Sequence, residues 1–160
     1  MKFDACEDLG AANLRGSGFA ARDTRVHELR SRFGDQHLAA EVNVAGLAGF
    51  LLAKTAAARK RRAARDWYDI AFVLLHNEEG GPDHAAAAVL RCFGEELVGS
   101  TRTALEDLRA NFASPDAQGP RAYVSQMRVD HPDLDAPSLA ADAVLAVERF
   151  CGRLLSRQDS

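Results

Sequence analysis

The chain has 160 residues, 47% of them hydrophobic, and a formal net charge of −3. That length suits one domain with a real core, and the charge argues against a general nucleic-acid coat. Thirty residues are alanine while Val, Ile and Thr together supply fifteen, so the chain is rich in the best helix former and poor in the β-branched residues that strands prefer. No apolar run approaches the roughly 20 residues that span a bilayer. The start, Met1 to Asp8, has no apolar signal core, which points to the cytoplasm. Cys6, Cys92 and Cys151 are odd in number and far apart, which fits neither a disulfide framework nor a zinc site. Cys92 and Cys151 read as buried small hydrophobes.

In chain order, residues 1–23 form a poorly patterned segment. Gly10, Gly16 and Gly18, with Asn13 and Ser17, break helices and leave room only for a short one before Gly10. Residues 24–160 read as a single domain. Thr24 to Arg32 shows alternation, Gly34-Asp35 signals a turn, and a second strand ends in Glu41-Val42-Asn43-Val44, so 24–44 reads as a hairpin. Helices follow from residue 45. Val44, Leu47, Phe50, Leu51 and Ala58 predict one face of a helix over about 46–60. Trp67, Ile70, Ala71, Leu74 and Leu75 recur at helical spacing over 65–76, and the breakers Asn77 to Pro82 end that helix. A third helix runs from Pro82-Asp83 to Cys92, and a fourth covers Glu96 to Phe112 with a break near Gly99. A fifth opens at Pro120 and reaches Val129. A last one is capped by Ser138 and striped with Leu139, Ala143, Val147, Phe150 and Leu154. The expected fold class is mainly α (α+β), with five or six helices packed behind a short hairpin. Short connections favour antiparallel neighbours.

The stretch that can carry chemistry joins the first two of these helices. Lys54 stands in an apolar helical context, and five of the seven residues from 59 to 65 are basic: Arg59, Lys60, Arg61, Arg62 and Arg65. Asp66 opens the next helix and Asp69 follows three residues later, on nearly the same face. Two such carboxylates can bind a divalent cation or take a proton, and a lysine held nearby can neutralise phosphate charge. A structural reading stands beside this one. Aspartate suits a first helical turn, Arg62 and Asp66 at i,i+4 can pair, and a lone lysine on an apolar face can snorkel to water. Trp67 and Tyr68 read as core and rim. The five histidines never fall at i,i+3 or i,i+4, so no helical metal site emerges.

Lys54, the arginine-rich turn and Arg65-Asp66-Trp67-Tyr68-Asp69-Ile70 resemble the third and fourth motifs of the AbiEii/AbiGii toxin family of nucleotidyltransferases. The resemblance covers about residues 44–76. It implies the C-terminal helical part of a polymerase-β-like nucleotidyltransferase. It gives Lys54 a role on nucleotide phosphates, Asp66 an assisting catalytic role and Asp69 a supporting one. Arg59, Arg62 and Arg65 would line the nucleotide or RNA side. It further implies a nucleoside triphosphate substrate, magnesium, an acceptor such as tRNA or another RNA, and a cognate antitoxin. If it holds, Lys54 and Asp66 face one open groove beside the hairpin.

The family's earlier motifs, a glycine turn and an Asp-x-Asp pair on a strand, are not matched. Gly16-Ser17-Gly18 offers a glycine turn, but Asp23 is followed by Thr24 and Arg25. The one Asp-x-Asp, Asp133-Leu134-Asp135, lies after the lysine motif between prolines. That pair normally holds the two metal ions of such chemistry. No metal ligand is therefore assigned. The chain reads as a truncated domain, inactive alone, whose hairpin is a remnant and whose missing sheet a separate chain can supply. The alternative is a non-catalytic helical module that binds RNA or a protein partner.

Overall fold

A computed structural model describes residues 2–3, 6–10, 16–34 and 36–156. Two short antiparallel strands come first, β1 (Lys2–Phe3) on β2 (Cys6–Gly10). The short helix expected before Gly10 is thus a strand; so few residues return too few hydrogen bonds to offset helix nucleation. Helix α1 (Ser17–Arg22) follows, where glycines were expected to forbid one. Tertiary contacts outweigh its poor propensity. Phe19 meets Phe93 edge-on at 5.1 Å, and Arg22 forks onto both oxygens of Glu96 at 2.8 and 2.7 Å.

Strands β3 (Thr24–Phe33) and β4 (Gln36–Ala45) form the expected hairpin, in continuous register from Thr24 opposite Ala45 to Phe33 opposite Gln36. Arg25 ties its base to Glu79, beyond the next helix pair, at 2.6 Å. The helical body then runs α2 (Leu47–Arg61), α3 (Ala64–His76), α4 (Pro82–Phe93), a 3₁₀ turn at Gly94–Glu96, α5 (Gly99–Asn111), α6 (Gln118–Asp130) and α7 (Ala136–Leu155). The fold is mainly α with a hairpin, as expected, but seven α-helices stand among the described residues. The break near Gly99 separates the 3₁₀ turn from α5. Helix α6 starts two residues before Pro120. Asp135, not Ser138, caps α7: its carboxylate accepts the Ser138 N–H at 2.9 Å, and hydrogen bonding from the Ser138 side chain and then its backbone holds the acid below its ordinary range.

Helices α2 and α7 are the hubs. Helix α2 packs on α1, α3, α4 and α5, and α7 on α3, α4, α5 and α6. Alanine is the commonest buried residue, and Ala85, Ala86 and Ala88 let α4 approach both hubs closely. Larger side chains fill the rest: Trp67, Ile70, Leu74, Leu105, Leu108, Val147 and Phe150 have no exposed surface. Each such burial contributes about 1.5–3 kcal/mol. Trp67 meets Phe112 edge-on at 6.2 Å. Cys151 is buried and its thiol is pushed up to about 12 by burial, so it stays protonated. Cys92 is exposed, contrary to expectation, because it lies about 100° around α4 from Phe93, which takes the core position.

The start of α2 shows how the body is joined to what precedes it. No local side chain caps this helix. Asp23, just after α1, does so instead: its carboxylate accepts the Gly49 N–H at 2.8 Å, and its carbonyl accepts the Gly46 N–H at 2.6 Å. A Cβ at Gly49 would sit 2.5 Å from the Phe19 carbonyl oxygen, so glycine is what lets α1 lie against α2. Removing the cap with Asp23→Ala is expected to cost about 1 kcal/mol. Gly49→Ala, which forces the helices apart, should cost about 1–3 kcal/mol. Urea unfolding midpoints of the two variants check this order.

Candidate functional site

Helix α2 ends in a left-handed residue, Arg62 (φ 54°), and α3 begins two residues later. This tight reversal lays the start of α3 against the middle of α2. Asp66 and Asp69 on α3 thereby reach Lys54. The Lys54 ammonium lies 2.5 Å from Asp69 Oδ2 and 3.3 Å from Asp66 Oδ1. Arg61 reaches the same Asp66 from the end of α2, with Nε 3.1 Å from Oδ2 and Nη2 2.8 Å from Oδ1. Asp66 is the only charged side chain among the buried described residues, at 2% exposure. Its charge is tolerable there because two cations meet it.

Lys54 does not snorkel. Its side chain keeps 24% exposure and lies over the half-buried Phe50 ring at 5.8 Å. An ammonium has three donors. Two are used on the carboxylates, and the third has no acceptor among the described residues. Asp69, at 22% exposure, opens onto a groove of about 420 Å³ lined by Arg65, Tyr68, Ser125 and Gln126. The groove is walled by α6 and not by the hairpin, and neither Lys54 nor the buried Asp66 lines it, so the one open groove expected for that pair beside the hairpin is not what the structure shows. Tyr68 stacks on Tyr123 at 6.1 Å, and the Tyr123 hydroxyl meets His76 Nε2 at 3.1 Å. Desolvation raises both phenols, so both stay neutral near pH 7.

The basic run is divided. Arg61 serves Asp66. Arg62, expected to pair with Asp66, lies 2.8 Å from Asp107 on α5 instead. The i,i+4 rule holds only inside a helix, and Arg62 has already left it. Its carbonyl accepts from Gln118 at 3.3 Å. Arg65 faces the Asp69 groove, whereas Arg59 and Lys60 line a different cavity on the far side of α2. Lys54, Asp66 and Asp69 are therefore brought together, while Arg59, Arg62 and Arg65 are not. Arg61 was missed as a site residue. Its signal was present in the basic run, but only the helix reversal selects it over its neighbours.

The model of the nucleotidyl transferase AbiEii toxin family, of type IV toxin–antitoxin systems, matches residues 16–147. The chain belongs to the AbiEii family. The match extends well past residues 44–76 and takes in α1, the hairpin and most of the helical body, including part of α7. No curated protein and no solved structure gives a significant match. In this AbiEii domain the Asp133-Leu134-Asp135 pair is exposed, and Asp135 is engaged in capping α7. Among the described residues no group of three or more His, Cys, Asp or Glu could hold a metal ion. The Asp66–Asp69 pair does not fit one either, because Lys54 and Arg61 already neutralise it.

The cluster makes a thermodynamic prediction separate from activity. Asp66→Ala removes the shared anion, but Arg61 is 44% exposed and Lys54 keeps Asp69, so the loss is expected to be about 1–3 kcal/mol. Lys54→Ala should cost less, because Arg61 still neutralises Asp66. Chemical unfolding of both variants should show the larger loss for Asp66→Ala, and the reverse order would contradict the geometry above.

Proposed function

We propose that this chain supplies the helical, phosphate-contacting part of an AbiEii-type nucleotidyl transfer centre. The observation that carries this reading is the Lys54 ammonium, held by Asp69 and Asp66 with one donor left over at a partly open surface. Its carboxylates fix its position, so it is ready for a triphosphate oxygen with little reorganisation. Asp66 acts as a positioning residue between Lys54 and Arg61, and Asp69 as the supporting carboxylate at the groove mouth. Arg65 and Tyr68 lie where an RNA acceptor end could approach that groove. A nucleoside triphosphate is the substrate and magnesium accompanies it. An RNA such as tRNA is the acceptor, and a cognate antitoxin opposes the toxin in the cytoplasm.

On this reading the metal-holding carboxylates come from outside the Lys54 cluster, and the chain by itself is inactive. The hairpin suits the addition of such a sheet. Leu29 and Leu38 are 57% and 55% exposed. The register places them, with Val44, on one face of the ribbon. A two-stranded ribbon is marginal alone and presents two open edges. The apolar face thus favours a separate sheet-bearing partner over a solvated role.

Isothermal calorimetry with each nucleoside triphosphate, with and without magnesium, tests the reading. Saturable binding to one or more triphosphates is expected, weakened about ten-fold or more in Lys54→Ala. No triphosphate binding, or equal binding by Lys54→Ala, would instead favour the non-catalytic module.

A further inference from the structure

The β3–β4 hairpin has an edge that the transfer centre does not explain. Among the described residues its strands pair only with each other, and no helix packs along them. Every described residue from 24 to 41 is exposed. The strands run ten residues each, with no proline and no shift of register. Strands this long and regular present a row of unpaired backbone N–H and C=O groups along each outer edge. Proteins ordinarily blunt such an edge with a proline, a bulge, a covering element or charged side chains. Of these, β3 has only the charges.

The order of those charges decides which strand they admit. Glu28 and Arg30 flank Leu29 symmetrically on β3. An antiparallel copy of β3 centred on Leu29 sets leucine opposite leucine. It sets Glu28 opposite Arg30 of the second copy, and Arg30 opposite Glu28 of the second copy. Further out Val26 meets Arg32 and His27 meets Ser31, so no like charges stand opposite. Moving the centre one residue either way sets Glu28 against Glu28 or Arg30 against Arg30, which is unfavourable. A half-step instead joins the apolar face of one ribbon to the polar face of the other. Within one chain Arg30 already bonds Glu28, at 3.0 and 2.9 Å, but Glu28 also stands opposite Glu41 on β4. A second arginine beside Glu28 offsets that repulsion.

We propose that the outer edge of β3 binds β3 of a second copy of this chain, antiparallel about Leu29, so that two ribbons become one sheet. The contact is isologous, with the same strand serving both copies. Leu29, Leu38 and Val44 of both copies then lie on one side of the sheet. Three or more strands with an apolar face are stable where two are marginal. A strand edge is smaller than a standard interface, so the dimer is weak and depends on concentration. The outer edge of β4 and the apolar face stay open, so a sheet-bearing chain can still add there. The inference does not depend on the reading of Lys54.

Sedimentation equilibrium and amide hydrogen exchange of the chain at rising concentration test it. Monomer–dimer association is expected below about 1 mM. Exchange should slow at β3 amides as the dimer fills, and not at β4 amides. E28R and R30E should each weaken self-association about ten-fold or more, with the helical circular dichroism unchanged. An equimolar mixture of the two variants should associate like the parent chain, because each carries the charge that the other lacks. That rescue separates pairing between copies from the bond within one chain. Four results would overturn the proposal. A chain that stays monomeric to about 1 mM would leave the edge to a different protein. Self-association that resists both reversals would place the contact on the apolar face. Slowed exchange at β4 instead of β3 would place it on the other edge. A mixture that fails to associate would show that the two charges do not meet across copies.

Discussion

Everything around the candidate site depends on one buried carboxylate. Asp66 is nearly without solvent, and a lone charge there would be intolerable. Lys54 and Arg61 make it tolerable, and they come from different turns of the preceding helix. Satisfying both sets the angle at which α3 leaves α2. That angle then places Asp69 against Lys54 and turns Tyr68 toward α6. Apolar packing of Trp67, Ile70 and Leu74 secures the same helix in the core beside Asp66. Charge and core thus specify one arrangement, a consistency expected of a sequence that encodes a single fold.

The same bond network bears on chemistry. A buried ion pair is weak evidence for stability, since apolar residues of similar volume often serve as well. Its retention here is better understood through Lys54. An ammonium held by two carboxylates is fixed in place. The cluster is unsuited to a divalent cation because its negative charge is already spent.

Much of the fold was legible in the residues. Strong periodicity marked α3 and α7, the breakers before Pro82 marked the end of α3, Pro120 marked the start of α6, and Gly34 marked the hairpin turn. The failures share a cause. Helix α1 looked broken because Gly18 lowers its propensity, yet Phe19 and Arg22 gain contacts with Phe93 and Glu96 more than seventy residues away. Cys92 looked buried by residue type, but its angular position on α4 decides. Asp23 showed no role in the local sequence because the helix it caps begins far along the chain, after the hairpin.

At the site, the sequence alone determined which residues could act. Lys54, Asp66 and Asp69 stood out because their order and spacing resemble a family motif, and spacing within a helix fixes relative direction. Which cation meets which anion was decided only by the tertiary structure. The left-handed residue at 62 ends the helical repeat, so Arg61 rather than Arg62 turns to Asp66. Arg62 finds Asp107 across the bundle, and Arg59 is carried to a cavity on the opposite face. Local periodicity is written in neighbouring residues. Pairing across a helix break depends on where the rest of the chain brings its charges.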